Sequence, residues 1–105
     1  MAEVVVSEGH NGGVVRARIG DTVTLKVAEI PTTGFRWELA SLDSQFLALT
    51  RDEFQPTSEG VGGGGLRVFH FLAKKPGSAG VELRLVRSWE SGSPKSIFRL
   101  RVLVS

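Results

Sequence analysis

Two histidines, eleven acidic residues and no cysteine are the groups with which this chain could do hydrolytic, redox or metal chemistry. They do not gather into a catalytic pattern. His10 and His70 have no metal-ligand spacing, and His70 stands between Phe69 and Phe71 in an alternating segment, as a structural or surface histidine would. The acids are scattered, with no pair set for acid–base work, and no Gly-x-Ser-x-Gly elbow is present. Without cysteine there is no disulfide, no thiolate metal site and no thiol nucleophile. The chain therefore reads as a binding protein rather than an enzyme, with no cofactor and no metal.

Three stretches invite a binding reading. In Glu29-Ile30-Pro31-Thr32-Thr33-Gly34, Pro31 fixes its own φ and drives Ile30 toward an extended conformation. Thr32 and Thr33 are stiff at χ1, and Gly34 admits φ > 0. Such a loop is rigid before a partner arrives, which lowers the entropy lost on binding. The run Ser58 to Gly65 ends in Gly62-Gly63-Gly64-Gly65, where another backbone can approach closely. Its Gly60-x-Gly62-x-x-Gly65 spacing formally fits a dinucleotide fingerprint, but the required preceding strand is replaced by the polar Gln55-Pro56-Thr57-Ser58, and no Lys follows in Walker register. The third stretch, Arg87-Ser88-Trp89-Glu90-Ser91-Gly92-Ser93-Pro94, sets a tryptophan among turn-formers. An aromatic at a loop tip is a common interface anchor. Taken singly, the first stretch reads rather as an ordinary sandwich loop and the third as a tryptophan folded back on the sandwich end, while the glycine run reads equally well as a floppy linker or a contact loop.

The segments between them alternate apolar and polar residues. Val15 to Ile19, Val23 to Val27, Phe35 to Leu39, Val81 to Leu85 and Phe98 to Val104 all have period two, which puts one set of side chains in a core and the other in water. Leu66 to Ala73 reads as a further strand, and Leu42 to Leu49 as either a helical turn or a strand. Glycine and proline punctuate the series, so the expectation is an all-β, immunoglobulin-like β-sandwich of about seven to eight strands. Residues 1–105 fit a single domain. The expected core is Val15, Ala17, Ile19, Val23, Leu25, Val27, Phe35, Trp37, Phe69, Phe71, Val81, Leu83, Leu85, Phe98, Leu100 and Val102. Arg16, Arg18, Arg99 and Arg101 are expected on a solvated face.

Hydrophobic residues at 41% and charged residues at 23% are ordinary for a globular domain and argue against disorder. The net charge of +2 gives only a weak field, with no basic run to track a phosphate backbone. No stretch approaches a membrane span. The N-terminus shows no signal peptide, and a periplasmic or secreted location would require a leader removed before Met1.

Taken together and in order, the three stretches resemble the chagasin family of cysteine-protease inhibitors. That family carries Asn-Pro-Thr-Thr-Gly-aromatic, Gly-x-Gly-Gly and Arg-Pro-Trp on three loops of an immunoglobulin-like sandwich. Here they correspond to Pro31-Thr32-Thr33-Gly34-Phe35 with Trp37 beyond, to Gly62-Gly63-Gly64-Gly65 with Phe69 beyond, and to Arg87-Ser88-Trp89. Gly60-Val61-Gly62-Gly63 also satisfies the second motif but places the following aromatics less well. Ile30 stands where the family has Asn, removing a side-chain hydrogen bond that could brace the loop. Ser88 stands where it has Pro, leaving the third loop less stiff.

The resemblance implies reversible, tight inhibition of papain-like cysteine proteases by a monomer, with no nucleic acid or membrane partner. Loops 31–34, 60–65 and 87–94 would occlude the cleft, with Thr32 and Thr33 beside the catalytic centre. The alternative is an immunoglobulin-like adhesion or accessory module with no protease target. Third is a nucleic-acid binder using Arg16, Arg18, Arg84, Arg99 and Arg101.

Overall fold

Alternation along the chain produces eight strands in two facing sheets, seen in a computed structural model that describes residues 2–56, 64–87 and 92–105. The strands are β1 (Glu3–Ser7), β2 (Gly13–Ala17), β3 (Thr22–Glu29), β4 (Phe35–Leu42), β5 (Leu47–Pro56), β6 (Gly65–Ala73), β7 (Gly77–Arg87) and β8 (Ser96–Val104). One sheet has the order β1-β3-β6-β5 and the other β2-β8-β7-β4. β1 joins β3 and β2 joins β8 in parallel, while the remaining pairs are antiparallel. The result is the expected all-β sandwich, with no α-helix among the described residues.

The inward sets interlock between the sheets. Val23, Leu25 and Val27 of β3 and Phe69 and Phe71 of β6 face Trp37, Val81, Leu83, Phe98, Leu100 and Val102 of the other sheet. Phe69 and Phe71 stack with centroids 6.4 Å apart. Val6, Leu47, Val68, Ala73, Ala79 and Val104 are also buried, which the sequence pattern did not lead us to expect.

Two expected core residues are not in the core. Ile19 is 52% exposed. β2 ends at Ala17, and the chain then turns so that Asp21 bonds the Arg18 backbone through both its amide and its carboxylate. The alternation therefore loses its sheet before Ile19. Phe35 is only half-buried, because it opens β4 at the rim. Val15 and Leu85, also half-buried, still pack on the core. In the ambiguous segment Asp43 starts a single turn, its carbonyl accepting from Phe46 and Leu47, and Leu47 then begins a strand.

Register shifts between Leu39 and Ser41 in β4 and between Leu49 and Arg51 in β5 reset the facing of the residues beyond them. After the second shift Asp52 lies opposite Phe69 and Phe54 opposite Arg67, in inward register. The outward arginines behave as expected. Arg16, Arg84, Arg99 and Arg101 are exposed, and Glu82 bonds both Arg84 and Arg99.

A candidate protease-binding edge

Strand register decides where the three loops emerge. Glu29 lies opposite Gly65, Gly65 opposite Pro56, and Phe35 opposite Arg87. The roots of all three loops therefore stand at one end of the sandwich. The first loop carries the chain from β3 in one sheet to β4 in the other, so it caps the core between them.

That loop is a single 3-10 turn over Pro31–Thr33. Ile30 is extended at φ −117°, ψ 100°, as a residue before proline prefers. The Ile30 carbonyl accepts from the Thr33 amide at 3.1 Å and from the Thr33 hydroxyl at 2.7 Å. The same hydroxyl accepts from the Phe35 amide at 3.3 Å. Gly34 ends the turn at φ +81°, a conformation that disfavours any residue with a Cβ. Thr33 thus supplies bracing inside the loop where Ile30 cannot. Pro31 and Thr32 remain exposed, presented outward by a turn whose own bonds are spent internally.

Side chains from the strands tie the loop down. Arg87 donates from Nε to the Thr33 carbonyl at 3.0 Å and lays its guanidinium 4.1 Å from the Phe35 ring centroid. Lys95, past the third loop, approaches the same ring at 4.8 Å. Both are cation–π contacts. On the other flank Gly64 lies against Ile30, whose Cγ1 sits 3.4 Å from where a Gly64 Cβ would be. Gly65 is held still closer: a Cβ there would collide with the Gln55 carbonyl and come within 2.6 Å of the Phe54 ring.

Beneath the loop lies a charged floor. The Glu29 side chain is 1% exposed and pairs with Arg67 at 2.9 Å. Its Oε1 accepts the Trp37 backbone amide at 2.7 Å, and the Trp37 indole donates to the Ala28 carbonyl at 2.8 Å. One carboxylate therefore joins the two sheets where the loop leaves and re-enters them. Arg67 also reaches Asp52 at 3.3 Å and lies over Phe54. Burial works against the Arg67 charge, but the hydrogen bonds and charges of Glu29 and Asp52 outweigh it and hold the guanidinium above its usual range.

Of the expected site residues, Pro31, Thr32, Thr33, Gly34, Phe35, Gly64, Gly65 and Arg87 are brought together at this end. Gly62, Gly63 and Trp89, with Ser88, lie outside the described residues. Sequence reasoning passed over Glu29, Arg67, Asp52 and Lys95. The signal for two of them was present: Glu29 continues the inward series Val23, Leu25, Val27, and Arg67 the series Phe71, Phe69. A charge at an inward position needs a partner.

The arrangement offers an apolar and hydrogen-bonding edge rather than a reaction centre. Among the described residues no three His, Cys, Asp or Glu gather as metal ligands. His70 sits mid-strand opposite Thr24, and His10 accepts from the Ser7 amide in a separate turn.

Comparison with known proteins agrees with this architecture. Chagasin of Trypanosoma cruzi is 30% identical over 96 residues, which span 87% of this chain and 87% of that protein. The cysteine protease inhibitor EhICP2 of Entamoeba histolytica superposes with a TM-score of 0.89 at 21% identity, covering 100% of this chain and 97% of that one. PbICP-C, solved in complex with falcipain-2, superposes with a TM-score of 0.71 at 13% identity, covering 98% and 89% of the two chains. Residues 16–102 match the model of the chagasin family of peptidase inhibitors, I42, and the chain belongs to that family.

Proposed function

We propose that the loop end inhibits papain-like cysteine proteases by filling their active-site cleft, reversibly and without a cofactor, with residues 1–105 acting as one monomeric inhibitor domain. The observation that carries this reading is the shared end itself: the Pro31–Thr33 turn is roped to the root of the third loop through Arg87 and abuts the glycine run through Ile30 and Gly64.

A cysteine protease cuts an extended peptide whose carbonyl is aligned with its thiolate and oxyanion donors. A 3-10 turn is not extended, so it fills that space without offering a carbonyl in line. Small misplacements of the reacting atoms cost much of the rate, and the inhibitor stays uncut. In this reading Pro31, Thr32 and Thr33 enter the catalytic centre, with Gly34 and Phe35 setting the turn. Gly62 to Gly65 bond one cleft wall through their backbone, and Trp89 anchors on the other side with Arg87 fixing its loop.

Titration of papain with the purified chain is expected to give stoichiometric, reversible loss of activity. Full activity at excess inhibitor would refute the reading. Replacing the exposed Thr32 with Arg, which leaves the Thr33 bracing in place, is expected to abolish inhibition through clash and unpaired charge. Trp89→Ala is expected to weaken binding by about 2 kcal/mol with the fold intact, and an unchanged inhibition constant would remove Trp89 from the interface.

A further inference from the structure

Ile30 is the feature of this edge that its bracing does not explain. Six large apolar residues are exposed among the described residues: Val5, Val14, Ile19, Ile30, Leu49 and Leu72. Only Ile30 belongs to the three loops. It is 50% exposed, immediately before the exposed Pro31 and Thr32. Its backbone is fixed by Pro31 on one side and by the two Thr33 bonds to its carbonyl. Its β-branched side chain has few rotamers to lose and lies beside Gly64, with Cγ1 3.4 Å from where a Cβ there would stand, an ordinary contact distance. The outcome is an apolar step on a fixed backbone, set between the first loop and Gly64, with half its surface still to be buried.

We infer that Ile30 is a specificity-determining residue, selecting proteases whose cleft wall beside the catalytic centre is apolar. The inference rests on the occlusion reading, since Ile30 meets that wall only if the turn enters the cleft. The chemistry is simple. Half an isoleucine surface buried against apolar side chains gains free energy in proportion to its area. Against a wall lined by carboxylates, built to receive a basic substrate residue, the same surface strips water from charged groups and gains nothing. A residue already rigid in the free inhibitor loses little entropy on docking.

The test uses two papain-like proteases, one preferring leucine or phenylalanine and one preferring arginine in the substrate subsite next to the catalytic centre. Inhibition constants are measured for the intact protein, Ile30→Ala and Ile30→Val, with thermal unfolding as the control for folding. The inference expects Ile30→Ala to lose at least tenfold against the apolar-preferring enzyme and less than threefold against the arginine-preferring one, with Ile30→Val close to the parent on both. Equal losses on both enzymes, or no loss on either, would overturn it while leaving occlusion standing. Failure of the parent protein to inhibit either enzyme would overturn occlusion itself, and this inference with it.

Discussion

The two ends of the sandwich are closed by different means. At the end away from the loops, backbone meets backbone. Gly20 donates to Ala73, Ala73 to Asp21, Lys74 to Phe46, Ile19 to Ser105 and Ser105 to Ala17, all at 2.8–3.0 Å. The Asp21 carboxylate takes the Arg18 and Ala2 amides at 2.9 Å each. At the loop end, strand side chains do the tying: Glu29 holds the Trp37 amide and Arg67, and Arg87 holds the Thr33 carbonyl. An end whose backbone groups satisfy one another is tied by its own main chain. An end held by side chains reaching up from the strands can keep a loop rigid while its outer face, Pro31 and Thr32, stays open to a partner.

That contrast can be broken at the charged floor first. Arg67→Met leaves the Glu29 carboxylate buried without its cation and is expected to cost about 3–5 kcal/mol in denaturant unfolding. Glu29→Gln keeps an acceptor for the Trp37 amide and is expected to cost less. A loss below about 1 kcal/mol for Arg67→Met would show that the pair does not support this end.

Two glycines sharpen the contrast. Gly77, at the closed end, has φ +151° and its Cβ would lie 2.5 Å from the Phe46 ring. Gly65, at the loop end, is blocked by Gln55 and Phe54. Alanine at either is expected to cost about 1–3 kcal/mol through overpacking. Once folded, Gly77→Ala is expected to inhibit like the parent, whereas Gly65→Ala, at the root of the glycine run, weakens inhibition as well. Matching inhibition constants for the two variants would dissolve the distinction between the ends.

The smallest expected effect is a pH dependence at the closed end. The Arg18 amide, then the Ala2 amide, bond the Asp21 carboxylate and hold its pKa below the usual aspartate value. The folded state therefore keeps this charge to lower pH than the unfolded chain does. The stabilisation is complete above the unfolded value, near pH 4, and disappears as pH falls through the lower folded one. Asp21→Asn is expected to flatten the acid limb of the stability profile without altering inhibition near neutrality. An unchanged acid limb would remove Asp21 from that role.

Most of the strand pattern was legible in the sequence because each inward set repeats with period two. Ile19 misled because the same alternation continues past Ala17 after the partner strand has stopped. Asp52 and Phe54 were missed because no strand was expected past Leu49, with Gln55-Pro56 taken as too polar for one, whereas β5 runs on to Pro56 and the shift after Leu49 breaks its alternation. The parallel placement of β1 and β2 depends on long-range pairing that no local pattern encodes. The loops were recognisable by motif, but their shared end follows from strand order, and for that the family resemblance was the only sequence-level guide. The Glu29–Arg67 pair was readable in principle, as two charges in inward register awaiting each other.

The most direct test of the account is amide hydrogen exchange of the chain alone and in complex with a papain-like protease. The account predicts slowed exchange at Thr32–Phe35, Gly64–Gly65 and Val86–Arg87, with no change at Arg18–Thr22 and Ala73–Gly77. Protection confined to the backbone-closed end, with the loop roots exchanging as in the free chain, would contradict it.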